Sequence, residues 1–163
     1  MTREQRKDLF EAIGLIAIVA SIVFLALEIR QNTIEVRLGN EQQALALGHD
    51  WDAWLLNEEF SRIYDAGLAD LSTLTSSEMR LFITYLGEAF SIWEFAYRSH
   101  QSGTMPDDTW RGWDTWFADG LRQKSWQEVW KSSKGGFASE GFRSHVDSII
   151  SGHEAMANAR RDK

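Results

Sequence analysis

The apolar run from Ala12 to Leu27 constrains this chain more than any other feature, because so long a stretch without a charged side chain must be covered by lipid or by protein. Arg3, Arg6 and Lys7 precede it, and Glu28, Ile29, Arg30 and Gln31 follow. As a helix rising about 1.5 Å per residue, the run covers about 24 Å, short of the roughly 30 Å hydrocarbon core of a bilayer. Extended to Leu9 and Ile29, it reaches about 30 Å and sets Glu11 and Glu28 at the two headgroup boundaries, where a carboxylate costs far less than at the centre. Ser21 is the single polar residue near the middle, and Gly14 lies near one end, where a membrane helix tolerates it.

A secretory signal peptide has the same basic start and apolar middle. Here Phe24-Leu25-Ala26-Leu27 runs on into charged, helix-like sequence rather than a small-residue cleavage site, which favours a retained anchor. A buried helix in a soluble oligomer is the other competitor, since charges flank the run on both sides. For a span, the basic residues before the run outweigh Arg30 and Arg37 after it, and the positive-inside rule places the N-terminus in the cytoplasm. The expected location is thus a bacterial inner membrane, crossed once.

Beyond the first thirty or so residues about 130 remain, enough for one core. With no cysteine there is no disulfide, thiolate nucleophile or cysteine metal site. A formal net charge of −7 argues against nucleic acid as a partner, since most of the surface repels a phosphate backbone.

Everything readable points to an all-α fold: a single transmembrane helix continuing into a compact bundle of about four to five further helices. Proline occurs once, at Pro106, and no alternation of polar and apolar residues marks a strand. The division reads as an anchor over residues 1–30, a Trp-rich bundle over 31–153 and a charged tail, frayed or disordered, over 154–163. The first helix continues past the boundary through Ile34, Leu38, Leu45, Leu47, Trp51, Trp54 and Leu55, with Gly39 and Gly48 as points where it is expected to kink or break. Asn57-Glu58-Glu59 opens a second helix carrying Phe60, Ile63, Tyr64 and Leu68. Thr75 with Glu78 makes a capping box for a third, whose stripe is Met79, Phe82, Ile83, Leu86, Phe90, Trp93 and Tyr97. Pro106 with Asp107 and Asp108 suits the first turn of a fourth, bearing Trp110, Trp113, Phe117 and Leu121. Ser125 and Glu128 form a second capping box before Trp126, Val129 and Trp130, and Ser139 precedes a last helix that buries Phe142, Val146, Ile149 and Ile150.

Eight tryptophans invite a ligand-binding reading, because aromatic faces stack on rings and quaternary amines. Their helical spacing favours core packing instead. Trp116 stands apart, beside the Trp113–Phe117 stripe rather than within it. Trp93, Tyr97, Trp113, Trp116 and Trp130 are the candidate contact residues for a ligand or partner, and Glu11, Glu28, Arg30, Gln31 and Asn32 the candidate boundary residues. His49, His100, His145 and His153 are scattered without zinc spacing, so no metal and no cofactor is expected. Glu94, inside the most apolar helix with Arg98 one turn on, reads as an ion pair with Arg98 or a buried pair with Arg111 or Arg143. The acid pairs Glu58-Glu59 and Asp107-Asp108 sit at helix starts, where unpaired amides favour them. No GxSxG, GxxxxGK[ST] or GxGxxG pattern is present, and no catalytic residue is assigned.

The segment Ile13-Gly14-Leu15-Ile16-Ala17 through Leu27-Glu28-Ile29-Arg30-Gln31-Asn32-Thr33 resembles the opening of a widespread group of small, uncharacterised bacterial proteins. Their apolar helix ends in a similar Ile-Arg-Gln-Asn-Thr phrase. The likeness continues through Asn57-Glu58-Glu59-Phe60, Leu74-Thr75-Ser76-Ser77-Glu78, Trp93 to Tyr97, Gly103 and Phe137-Ala138-Ser139-Glu140-Gly141-Phe142. Glu28 stands where many of those sequences carry glutamine. The resemblance implies a retained anchor and a Trp-rich helical domain, and brings no activity with it.

The leading expectation is a noncatalytic accessory or scaffold subunit whose partners are the lipid bilayer and a membrane protein complex or second copies of itself. The alternative is a tethered domain binding an apolar or aromatic small ligand among Trp93, Tyr97, Trp113 and Trp130. A hydrolase using Glu94 or Asp108 comes third, for want of a readable base, nucleophile and transition-state donor.

Overall fold

The computed structural model describes residues 3–161, with side chains described for Arg3 and for residues 13–159. The described chain is all-α, with no strand: α1 (Arg3–Asp52), α2 (Glu58–Ala69), α3 (Ser76–Gln101), α4 (Asp107–Gly120), α5 (Lys124–Ser133) and α6 (Glu140–Arg161). Short 3-10 turns at Ala53–Leu56, Leu71–Thr73 and Lys134–Gly136 join some of them. The chain divides into two compact units, one ending at residue 39 and one beginning at residue 40, and α1 contributes to both.

The first unit is helix alone. Its apolar window has a mean hydropathy of 2.3 with none of it covered by the rest of the described chain, and it is long and apolar enough to cross a membrane once. Ile16 is 68% exposed and Phe24 66%, values that lipid rather than water accommodates. Two hydroxyls of this helix bond back to its own backbone, a pairing that suits the apolar surroundings of Ser21: Ser21 Oγ donates to the Ala17 carbonyl at 2.8 Å and Thr33 Oγ1 to the Ile29 carbonyl at 2.8 Å. Glu28, Arg30, Gln31 and Asn32 are all exposed at the expected boundary, and the side chain of Glu11 lies outside the described residues.

The second unit is an aromatic bundle. Ala44, Leu47 and Trp51 of α1 recur at helical spacing and face its core, while Leu45 stays 56% exposed. The expected weak points do not interrupt α1, which ends at Asp52. Gly48 has a packing reason: a Cβ there would stand 2.7 Å from the Trp113 ring. Only glycine lets that indole lie against the helix.

Asn57 caps α2 by accepting from the Phe60 amide at 2.9 Å. The capping box of α3 is formed in full, with Thr75 N donating to Glu78 Oε2 at 2.9 Å and Glu78 N to Thr75 Oγ1 at 3.3 Å. The buried stripe of α3 departs from expectation at one place. Ile83 is 37% exposed and Tyr85 is fully buried, because Trp51 stacks on Tyr85 at 4.4 Å and donates its Nε1–H to the Tyr85 carbonyl at 2.8 Å. Gly103, at φ 71°, turns the chain out of α3.

Pro106 sits immediately before α4 rather than in its first turn, with Asp107 and Asp108 following. The second expected capping box does not form. α5 starts at Lys124 with Gln123 before it, so Ser125 lies inside the helix, buried, and its hydroxyl has no partner. The helix starts earlier because Trp126 and Val129 must both face the core, which sets the phase of the first turn. The expected tail from Glu154 is the continuation of α6 as far as Arg161.

Glu78 also accepts from Arg62 Nη2 at 2.7 Å, and this bond, with those from Thr75, holds its carboxyl at about 2 instead of 4.5. A depressed folded-state value contributes stability above pH 4.5 that is lost as pH falls toward 2. Glu78→Gln is expected to flatten that acid limb in denaturant midpoints measured at stepped pH. An unchanged limb would mean the bonds do not persist in solution.

Candidate functional site

The five aromatic candidates do not converge on one place. Trp93 and Trp130 are fully buried, Tyr97 and Trp113 are half-buried, and Trp116 is 48% exposed. Trp93 stacks on Phe117 at 5.4 Å and meets Phe142 edge-on at 5.5 Å, while Trp130 stacks on Phe137 at 5.3 Å. Tyr97 lines one groove, and Trp113 and Trp116 line another.

Two of the buried indoles, those of Trp93 and Trp130, donate to carboxylates from other helices. Trp93 Nε1 donates to Asp114 Oδ1 at 3.0 Å, and His145 Nε2 meets the same oxygen at 2.7 Å. Trp130 Nε1 donates to Asp147 Oδ1 at 2.8 Å, and Lys134 Nζ reaches its second oxygen at 2.7 Å. Burial works against the Asp147 charge, but the bonds from Lys134 and Trp130 outweigh it and hold the carboxyl below its ordinary range. Burial pushes the Tyr85 hydroxyl, which has no partner, well above its usual value. Asp114 and Asp147 were missed in the sequence because their partners lie 21, 31, 17 and 13 residues away, beyond any one helix turn.

Glu94 forms no ion pair with Arg98. Its Oε1 accepts from the Ser139 amide at 2.6 Å, ahead of α6, where Ser139 Oγ in turn accepts from the Phe142 amide at 3.2 Å. A carboxylate beside unpaired amides gains both the bond and the helix dipole. Arg143 instead donates to the Phe137 carbonyl, and Arg111 to that of Asp107 at 3.2 Å. His100 stacks on Trp110 at 5.3 Å with Nε2 3.0 Å from Asp107. Glu94 and Ser139 are thereby committed to the start of α6.

Among the grooves of the second unit open to solvent, two take in the aromatic candidates. A polar one of about 870 Å³ runs along α3, with Ser91, Arg98, Ser102 and Thr104 among its walls. An aromatic one of about 570 Å³ lies between the end of α1 and α4, walled by Trp51, Trp113 and Trp116 and rimmed by His49, Asp52 and Asp108. Thr109 Oγ1 donates to Glu41 Oε1 at 2.9 Å and Asn40 Nδ2 to Thr104 Oγ1 at 2.7 Å, tying the last turns of α1 to α4 and the loop before it. Trp116 keeps its place at the groove by edge contacts on Trp51 at 5.1 Å and Phe117 at 5.0 Å.

No family model, characterised protein or solved structure matches this chain. The architecture itself is present: a long apolar N-terminal helix, then a helical bundle around a buried cluster of tryptophans.

Proposed function

We propose that this protein is a noncatalytic accessory or scaffold subunit of a bacterial inner membrane, anchored by one span with its N-terminus in the cytoplasm and acting through protein–protein contacts. The observation that carries the reading is the uncovered apolar window of α1, none of which is buried, in a chain where Glu94, Asp114 and Asp147 serve to hold helices together. The Arg30-Gln31-Asn32-Thr33 phrase is the place where such a helix leaves lipid and meets a partner. A complex would shield Glu28 and cover the exposed Ile29 and Ile34. Membership of the bacterial group that the opening phrase resembles belongs to the same proposal.

The test is a photo-crosslinking amino acid placed at Asn32 in the native membrane, with Leu81 of α3 as a second position. One discrete adduct of constant mass at Asn32 is expected, a different polypeptide or a second copy. Lipid adducts alone at both positions, with a monomer after mild detergent extraction, would overturn the scaffold reading.

A second reading, a tethered domain that binds an apolar or aromatic small ligand, is favoured by the aromatic groove between α1 and α4.

A further inference from the structure

We propose that the aromatic groove of the second unit binds a small organic cation with an apolar body, a protonated or quaternary amine, held against Trp113 and Trp116 and neutralised by Asp52 and Asp108. This names the ligand class for the second reading above and does not depend on the scaffold reading.

The volume is right for a small molecule. About 570 Å³ falls within the range of roughly 300–1,000 Å³ typical of such sites. The walls include indoles, a ring type whose quadrupole attracts cations, and Trp116 is the one tryptophan among the exposed large hydrophobic residues. A ring that size, 48% exposed beside a packed core, leaves apolar area uncovered that a ligand would cover.

The charge has one sign. The groove is lined by Asp52 and Asp108 and by no lysine or arginine. Asp108 stands in the first turn of α4, where the helix itself welcomes a carboxylate, so its presence alone says little. Asp52 is different. It is the last residue of α1, exposed at the negative pole of the helix, and among the described residues neither a hydrogen bond nor an ion pair compensates it. The net charge of −7 also draws cations rather than anions to the surface.

The glycines shape the same space. Gly48 lets the Trp113 ring lie against α1 and form a wall, since a Cβ would meet it at 2.7 Å. Gly112, on the α4 side, has nothing within 4 Å of the position a Cβ would take. Packing does not require a glycine at that place, and one within a helix is unfavourable. Its missing side chain leaves the groove open.

The experiment uses the full chain in detergent micelles, titrated with benzyltrimethylammonium and, for comparison, uncharged benzyl alcohol. The readout is the indole N–H resonances in nitrogen-15 spectra. Saturable shifts at Trp113 and Trp116 are expected with the ammonium, at least tenfold tighter than with the alcohol, while Trp93 and Trp130 stay still. Asp52→Asn is expected to weaken binding at least fivefold. Gly112→Leu should fill the groove and abolish the shifts while leaving the melting temperature unchanged or raised, which separates lost binding from lost fold. Equal affinity for the alcohol, unchanged binding in both variants, or no saturable shift at Trp113 and Trp116 would each overturn the proposal. Crosslinking at Asn32 is unaffected by any of these results, so the two readings fail separately.

Discussion

Trp93→Ala is expected to destabilise the bundle by about 3–5 kcal/mol, the range for removing a buried aromatic side chain whose neighbours relax only partly into the space. The residue is fully buried and its ring packs on Phe117, Phe142 and His145 at 5.4, 5.5 and 5.9 Å. Truncation also takes a donor from Asp114, whose carboxylate is then left with His145 alone among the described residues. The loss should appear as a large drop in the urea midpoint at an unchanged denaturant slope. Trp116→Ala provides the contrast. It removes a ring that is 48% exposed, so the expected cost is only about 1 kcal/mol. If the two variants unfolded at the same midpoint, Trp93 would not be the centre of a packed core.

Val19→Arg is expected to expel the N-terminal helix from the membrane. Val19 lies midway between Leu9 and Ile29 and is 54% exposed, so its side chain would face lipid at the depth where an arginine costs about 2.5–3.5 kcal/mol. That is roughly a hundredfold change in partitioning at about 1.4 kcal/mol per factor of ten. Alkaline washing of membranes should release the arginine variant and leave both the wild type and Val19→Leu in the pellet. Retention of Val19→Arg through the wash would place protein or water, not hydrocarbon, against that face of the helix.

Local signals in the chain were legible wherever one helix turn contained both partners. The Asn57 cap, the Thr75–Glu78 box and the acid pairs at the starts of α2 and α4 all stand where the spacing puts them, because the physics that places them acts over three or four residues. The second box at Ser125 failed for an instructive reason. Its spacing was correct, but Trp126, Val129 and Trp130 are all buried, and the area they cover outweighs a surface capping bond. The same competition replaced Ile83 by Tyr85 in the stripe of α3: both phases suit a helix, and Trp51 chose between them. Gly48 read as a weak point in α1 because glycine is unfavourable in an isolated helix, whereas the folded bundle gains the Trp113 contact that only glycine admits.

The candidate groove shows the same division. Trp116 stood out by its phase alone, since a residue one step off a helical stripe does not face the core. Asp52, Gly112 and Trp113 carried no such mark. They become one site only because α4 packs against the last turns of α1, more than fifty residues earlier in the chain.

The amino-acid order by itself determined the all-α class, the long apolar N-terminal helix and most helix starts, since these follow from the period of apolar side chains and from capping bonds that span a single turn. Tertiary structure alone decided which rings are sealed and which are open, that Glu94 serves α6 rather than Arg98, and that Asp114 and Asp147 accept from buried indoles. Those choices depend on contacts between distant helices. Packing decides which acceptor a buried N–H meets, and no spacing along the chain records which carboxylate that will be.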